Sequence, residues 1–193
     1  WSGSDTASGI AMYEYSLSFT FSGISFSLVP WTSAGTATAD TLTGLSLLTE
    51  GATYYLSVRA TDVAGNISDP DTSDGITIDL TAPAGTTVSD GTGADISYSG
   101  SDTTLSANWA AFTETVSGVQ KYEYAIGTTS GGTELVTWTD NDTATSVTKS
   151  GLTLSNGTEY YISVRATDNA DNVSTTIISD GVLVDTAVPS AGS

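Results

Sequence analysis

The segment from Thr53 to Ser68, TYYLSVRATDVAGNIS, returns as EYYISVRATDNADNVS from Glu159 to Ser174, shifted by 106 residues without a gap and identical at 11 of 16 positions. Self-similarity at domain length points to a tandem array of one module rather than a single domain with a private active site. The match extends outward with small slips. Ser8-Gly9-Ile10 through Tyr13-Glu14-Tyr15 falls on Ser117-Gly118-Val119 through Tyr122-Glu123-Tyr124, Ser73-Asp74-Gly75 on Ser179-Asp180-Gly181, and Trp1 on Trp109. The stretch from about Thr81 to Asn108 has no partner in the first copy. The chain therefore reads as an N-terminally truncated module over 1–79, a complete module over 80–186, and the start of a linker or further repeat over 187–193.

Composition narrows the class. There are 193 residues, enough for two domains that each bury a core. Cysteine and histidine are absent, which excludes disulfides, thiolate metal sites, and Ser-His-Asp or Cys-His catalysis within this chain. No apolar run is long enough to span a bilayer. The net charge of -18, from 22 acidic and 4 basic residues, repels nucleic acid and anionic lipid. Such a surface favours solubility, and it also favours cations.

Hydrophobic periodicity is two throughout. In Tyr54 to Thr61, Leu56, Val58 and Ala60 share one face, with Tyr55, Ser57 and Arg59 on the other; Ile162, Val164 and Ala166 repeat the inner set. Strands with one apolar face, short Gly/Asp/Asn turns and no helical period predict an all-β fold of antiparallel sandwiches. In the second copy, strands are expected near 86–98 (broken), 103–109, 119–127, 133–138, 144–149, 158–167 and 178–185. In the first they fall near 10–19, 25–31, 36–43, 52–61 and 74–79, with a stub at Trp1 and the leading strand missing.

Trp109 on the second strand, Tyr122-Glu123-Tyr124 on the third, and Leu154 six residues before Tyr160 resemble a fibronectin type III domain, as do Trp1, Tyr13-Glu14-Tyr15 and Leu48 before Tyr54. The resemblance implies two tandem seven-stranded Greek-key β-sandwiches, the first lacking its leading strand. It implies a Trp and paired Tyr in each core, and a later Tyr whose hydroxyl bonds backbone near the preceding turn. The run RATDxAxN, then SDG, then a closing Asp and Pro is similar to repeats of very large bacterial surface and secreted proteins. That likeness specifies fold far more than role.

In a fold of this kind the loop after the sixth strand and the loop after the second reach the pole where the preceding domain arrives. Asp79, Glu114, Asp168 and Asp171 are thus expected at the junction, with Asp5 and Asp62 as the equivalent set of the first copy. Calcium takes six to eight oxygens. Junctions of bacterial immunoglobulin-like repeats, which this chain resembles, often hold it, so Ca2+ is the expected cofactor and stiffness its effect. The competing reading is that Asp62 and Asp168 only cap a turn, helped by Asn66 and Asn172. The segment from Asp69 to Gly75 echoes a calcium loop without its spacing and reads as a solvated loop.

Arg59 and Arg165 should face outward across from Glu14 and Glu123, forming cross-strand ion pairs. Trp31 and Trp138 also repeat; they are either sugar-stacking residues or rings packed against a neighbouring loop or module. No catalytic constellation is visible, since the Asp and Glu residues sit mostly in turns.

The expected function is therefore non-catalytic: a spacer or stalk in a large extracellular or bacterial cell-surface protein, serving adhesion or display and possessing calcium-stiffened junctions. Its expected partners are neighbouring repeats of the same chain, other copies in a filament, or a surface glycan, without nucleic acid or membrane insertion. The alternatives are an accessory carbohydrate-binding module of a secreted polysaccharide-degrading enzyme, using Trp31 and Trp138, and a subunit of a surface filament.

Overall fold

The computed structural model of the chain describes residues 1–45 and 48–192. They form two compact units, Trp1–Asp79 and Leu80–Ser193. Among the described residues there is no helix, and every element of both units is a strand.

The first unit holds strands β1 (Ile10–Phe21), β2 (Ile24–Gly35), β3 (Thr53–Asp62), β4 (Asp71–Thr72) and β5 (Ile76–Thr77). They make one antiparallel sheet with β1 in the centre between β2 and β3, while β4 and β5 pair successive stretches of β3. β1 and β2 form a hairpin closed by Ser22-Gly23, at φ 50° and 78°. Two consecutive left-handed residues match the twist of the strands they join, which is why a small residue and a glycine stand there.

The second unit holds β6 (Val88–Asp90), β7 (Tyr98–Ser99), β8 (Leu105–Trp109), β9 (Val119–Gly127), β10 (Val136–Asp140), β11 (Ser146–Lys149), β12 (Glu159–Asp168), β13 (Ile177–Ile178) and β14 (Val182–Val184). One sheet runs β10-β9-β12-β14-β7, with β13 also on β12; the other runs β11-β8-β6. The leading strand is broken, as its pattern predicts. β6 pairs antiparallel with β8 in the small sheet, and the chain then crosses so that β7 runs parallel to β14 in the large one. The closing strand is likewise split into β13 and β14. The result is the all-β sandwich that the alternation required.

Its core lies between the sheets. Ile162, Val164 and Ala166 of β12 are at most 1% exposed and pack with Leu105, Trp109, Tyr122 and Tyr124. Trp109 meets the edge of Tyr122 at 5.8 Å between centroids, and the Tyr122 hydroxyl accepts the Phe112 N–H at 3.0 Å. The later tyrosine behaves as the resemblance implied in both units. Tyr160 Oη accepts the Ser155 N–H at 2.9 Å, and Tyr54 Oη accepts the Thr49 N–H at 3.1 Å.

The first unit also departs from expectation within its own residues. The strand expected near 36–43 is not formed, and those residues run as irregular chain. In the second unit the corresponding β11 exists because β8 pairs with it over Ser146 to Lys149. At the corresponding place in the first unit, Trp1 donates its N-terminal amine and indole N–H to the Thr38 and Ala37 carbonyls, both at 3.1 Å. A ladder with a single rung does not fix a strand. Leu56, Val58 and Ala60 are consequently only half-buried, and a cleft of about 680 Å3 lies over them, lined also by Trp1 and Tyr13. Full burial of each aliphatic side chain is worth about 1.5–3 kcal/mol. Near-identical strands thus carry unequal stabilisation.

Heating should therefore give two transitions, the first unit melting first, with amide exchange in β3 faster than in β12. One shared transition with equal protection would contradict this. Tyr160→Phe should destabilise the second unit by about 0.5–1.5 kcal/mol in denaturant titration, because the Ser155 N–H loses its acceptor.

Candidate functional site

β3 and β12 both end on an aspartate that organises the following turn. Asp62 accepts the Asn66 N–H at 2.8 Å and its side-chain amide at 2.7 Å. Asp168 accepts the N–H groups of Ala170 and Asn172 at 2.8 and 2.9 Å and the Asn172 amide at 2.9 Å. Gly65 and Asp171 occupy the same left-handed position, at φ 91° and 66°. The extra carboxylate of the second copy thus stands where turn geometry favours Gly, Asn or Asp, and it is exposed. Asn66 and Asn172 are both spent on these caps.

Asp5 caps the entry to β1: one of its oxygens accepts the N–H groups of Ala7, Ser8 and Gly9 at 3.2, 2.7 and 2.7 Å. Glu114 accepts the Val116 N–H at 2.7 Å. Of the expected junction residues, Asp79 closes the first unit, and Glu114, Asp168 and Asp171 belong to the second. Within the second unit, a Glu114 oxygen comes within 4.8 Å of one from Asp168, which is fully buried. Capping uses only part of a carboxylate, whose two oxygens offer about four lone-pair sites, so a turn aspartate retains capacity for a cation. The segment from Asp69 to Gly75 carries β4, exposed and paired to β3 through Thr72 and Asp71.

Hydrogen bonding holds several carboxyls below their ordinary range. The Asn66 amide and N–H do so for Asp62, and the Gly9 and Ser8 N–H groups for Asp5. In the second unit the Thr128 N–H and hydroxyl act on Glu134, and the Asp142 N–H with Lys121 on Asp140. A lowered folded pKa contributes stability above the unfolded value, about 4. That contribution disappears as pH falls through the lower folded value.

The outer face carries a second repeated constellation. Arg59 and Glu14 stand opposite each other on β3 and β1, as do Arg165 and Glu123 on β12 and β9. The Nε atoms meet Glu14 and Glu123 at 2.8 and 2.9 Å. Each guanidinium also lies over an indole, Arg59 at 4.4 Å from the Trp31 centroid and Arg165 at 4.3 Å from that of Trp138. Spacing along the chain revealed the ion pairs but not this stacking, because Trp31 and Trp138 reach the arginines through irregular register between β2 and β1 and between β10 and β9. One face of each indole is occupied, so a sugar ring could use only the other.

Acid and mutation should both register these contacts. Below about pH 4 the first unit should lose stability, and Asp62→Asn should reduce that slope in acid titrations followed by circular dichroism. Arg165→Ala should cost the second unit about 1–2 kcal/mol and change Trp fluorescence, since it removes the stacked cation and leaves Glu123 with only Lys121 at 3.8 Å.

No family model matches the chain. It is similar to exoglucanase B of Cellulomonas fimi, 35% identical over 158 residues, and to chitinase A1 of Niallia circulans, 33% identical over 154 residues. Those alignments cover 81% and 79% of this chain but only 13% and 20% of the two relatives, so the chain spans a small part of each. Among solved structures, the FN1-FN3 domains of chicken CNTN1 align with 90% of this chain and 56% of theirs at 17% identity and a TM-score of 0.43, a likeness too remote to bear on function.

Proposed function

We propose that this chain is a non-catalytic spacer of a longer extracellular protein, and that the protein acts on polysaccharide rather than serving adhesion. The observation that carries this reading is the use to which the repeated polar residues are put. Asp62 and Asp168 cap turns, and Glu14–Arg59–Trp31 and Glu123–Arg165–Trp138 join an ion pair to a cation stacked on one indole face. Repetition here preserves a module's construction. The glycoside-acting names of the two relatives, each matched over only a fraction of its length, support the setting.

Calcium belongs to the same proposal as a stiffener, supported by the Glu114–Asp168 approach in the second unit and by the large net negative charge. Glu114→Gln should then reduce any rise in melting temperature that millimolar calcium gives.

The deciding experiment incubates the chain with insoluble cellulose and chitin and assays soluble sugar release. A spacer stays in the supernatant and releases nothing. Retention abolished by Trp31→Ala or Trp138→Ala would replace the spacer with a carbohydrate-binding module, and sugar release would overturn the non-catalytic reading.

A further inference from the structure

We propose that Asp90, Asp95 and Asp180 form a divalent-cation site suited to calcium, placed where the leading strand of the second unit crosses between sheets. None of these residues belongs to the turns or stacks described above. One carboxylate oxygen from each lies within 4.8 Å of the others. Calcium binds oxygen at about 2.3–2.6 Å, so ligands on opposite sides of one ion stand about 4.6–5.2 Å apart. The set is compact enough to share a single ion.

Asp90 supplies the observation that separates this cluster from ordinary surface acidity. It is 0% exposed, and its Oδ1 is buried without a hydrogen-bond partner. Its other oxygen accepts the Gly181 N–H at 3.1 Å. A buried carboxylate oxygen without a partner forfeits its full solvation, which is tolerated where a cation completes it. Burial, more than the nearby Asp95 and Asp180 charges, pushes the Asp90 carboxyl up to about 6, against the pull of the Ser179 hydroxyl and the Gly181 N–H.

The surroundings are arranged for such a role. Asp95 Oδ1 accepts the Asp90 N–H at 2.7 Å, so the loop folds its second carboxylate back over the first. The Asn108 side-chain amide holds the loop from below, donating to the Gly91 and Gly93 carbonyls at 3.0 and 2.9 Å. Asp180 arrives from the other sheet, just before β14. It is followed by Gly181, at φ 106°, where an added Cβ would come within 2.9 Å of Tyr161. Asp95 and Asp180 are exposed, leaving outer coordination positions to water, as calcium's high ligand number requires. The first unit carries the counterpart of Asp180, Asp74, at the matching place before its closing strand.

The test titrates calcium chloride into the metal-free 193-residue chain by calorimetry near neutral pH and follows backbone amides by NMR. Saturable binding is expected, with shifts at Gly91, Asp95 and Gly181. The exposed pair Asp95→Asn/Asp180→Asn should weaken it by about tenfold or more, whereas Asp102→Asn leaves it intact. Asp90→Asn removes binding if it folds; if it does not, the double variant of the exposed pair decides between the outcomes. The proposal is overturned by the absence of saturable binding at millimolar calcium, or by binding that the double variant leaves unchanged. Glu114→Gln separates the two calcium readings, since loss of binding in that variant alone assigns the ion to the Glu114–Asp168 pair.

Discussion

The inner face of β12 must be covered, and the construction of each unit follows from how that is done. Ile162, Val164 and Ala166 project from one side of a strand whose backbone is already satisfied by β9, β13 and β14. What remains is apolar area, and only a second sheet removes it from water. The small sheet of β11, β8 and β6 does this, and Trp109 and Tyr122 fill the gap between layers. The first unit carries almost the same strand, and its described residues form a single sheet in which Leu56, Val58 and Ala60 are half-exposed.

Period-two alternation revealed the strands, because each has one wet and one dry face. The repeat revealed the module, and the tyrosine spacing revealed the corner bond. The cross-strand pairs were legible because opposite charges recurred at one offset in both copies. The strand expected near 36–43 was read from alternating polarity and from its equivalent in the second copy, but a strand exists through its neighbour. The chain there lacks the partner that β8 provides to β11. Local pattern cannot report a missing partner.

The acidic residues show a similar division. Asp62 and Asp168 could be assigned to turns because an Asn follows each at the same interval, and the structure shows the bonds. Whether a carboxylate also serves an ion depends on what else approaches it. Asp90 and Asp180 are 90 residues apart in sequence and meet only because the leading strand changes sheets. The available signal was Asp90 itself, an acidic residue on the inward side of a short strand and followed by a glycine-rich turn with a second Asp. The stacking of Arg165 on Trp138 was hidden for a related reason, since a bulge in β10 sets which side of the strand the indole takes.

The crossing of the leading strand also governs how the second unit would carry tension. Load entering at Leu80 first meets β6, which is joined antiparallel to β8, and then β7. Because β7 runs parallel to β14, pulling the two ends of this unit apart slides those strands past each other instead of peeling them open. The Ser97 and Ser99 carbonyls, which accept the Leu183 and Asp185 N–H groups at 3.0 and 2.9 Å, would have to release together. The link from Asp90 to Gly181 stands in the same line of force, ahead of them. A break in one short strand thus turns a sandwich edge into a latch.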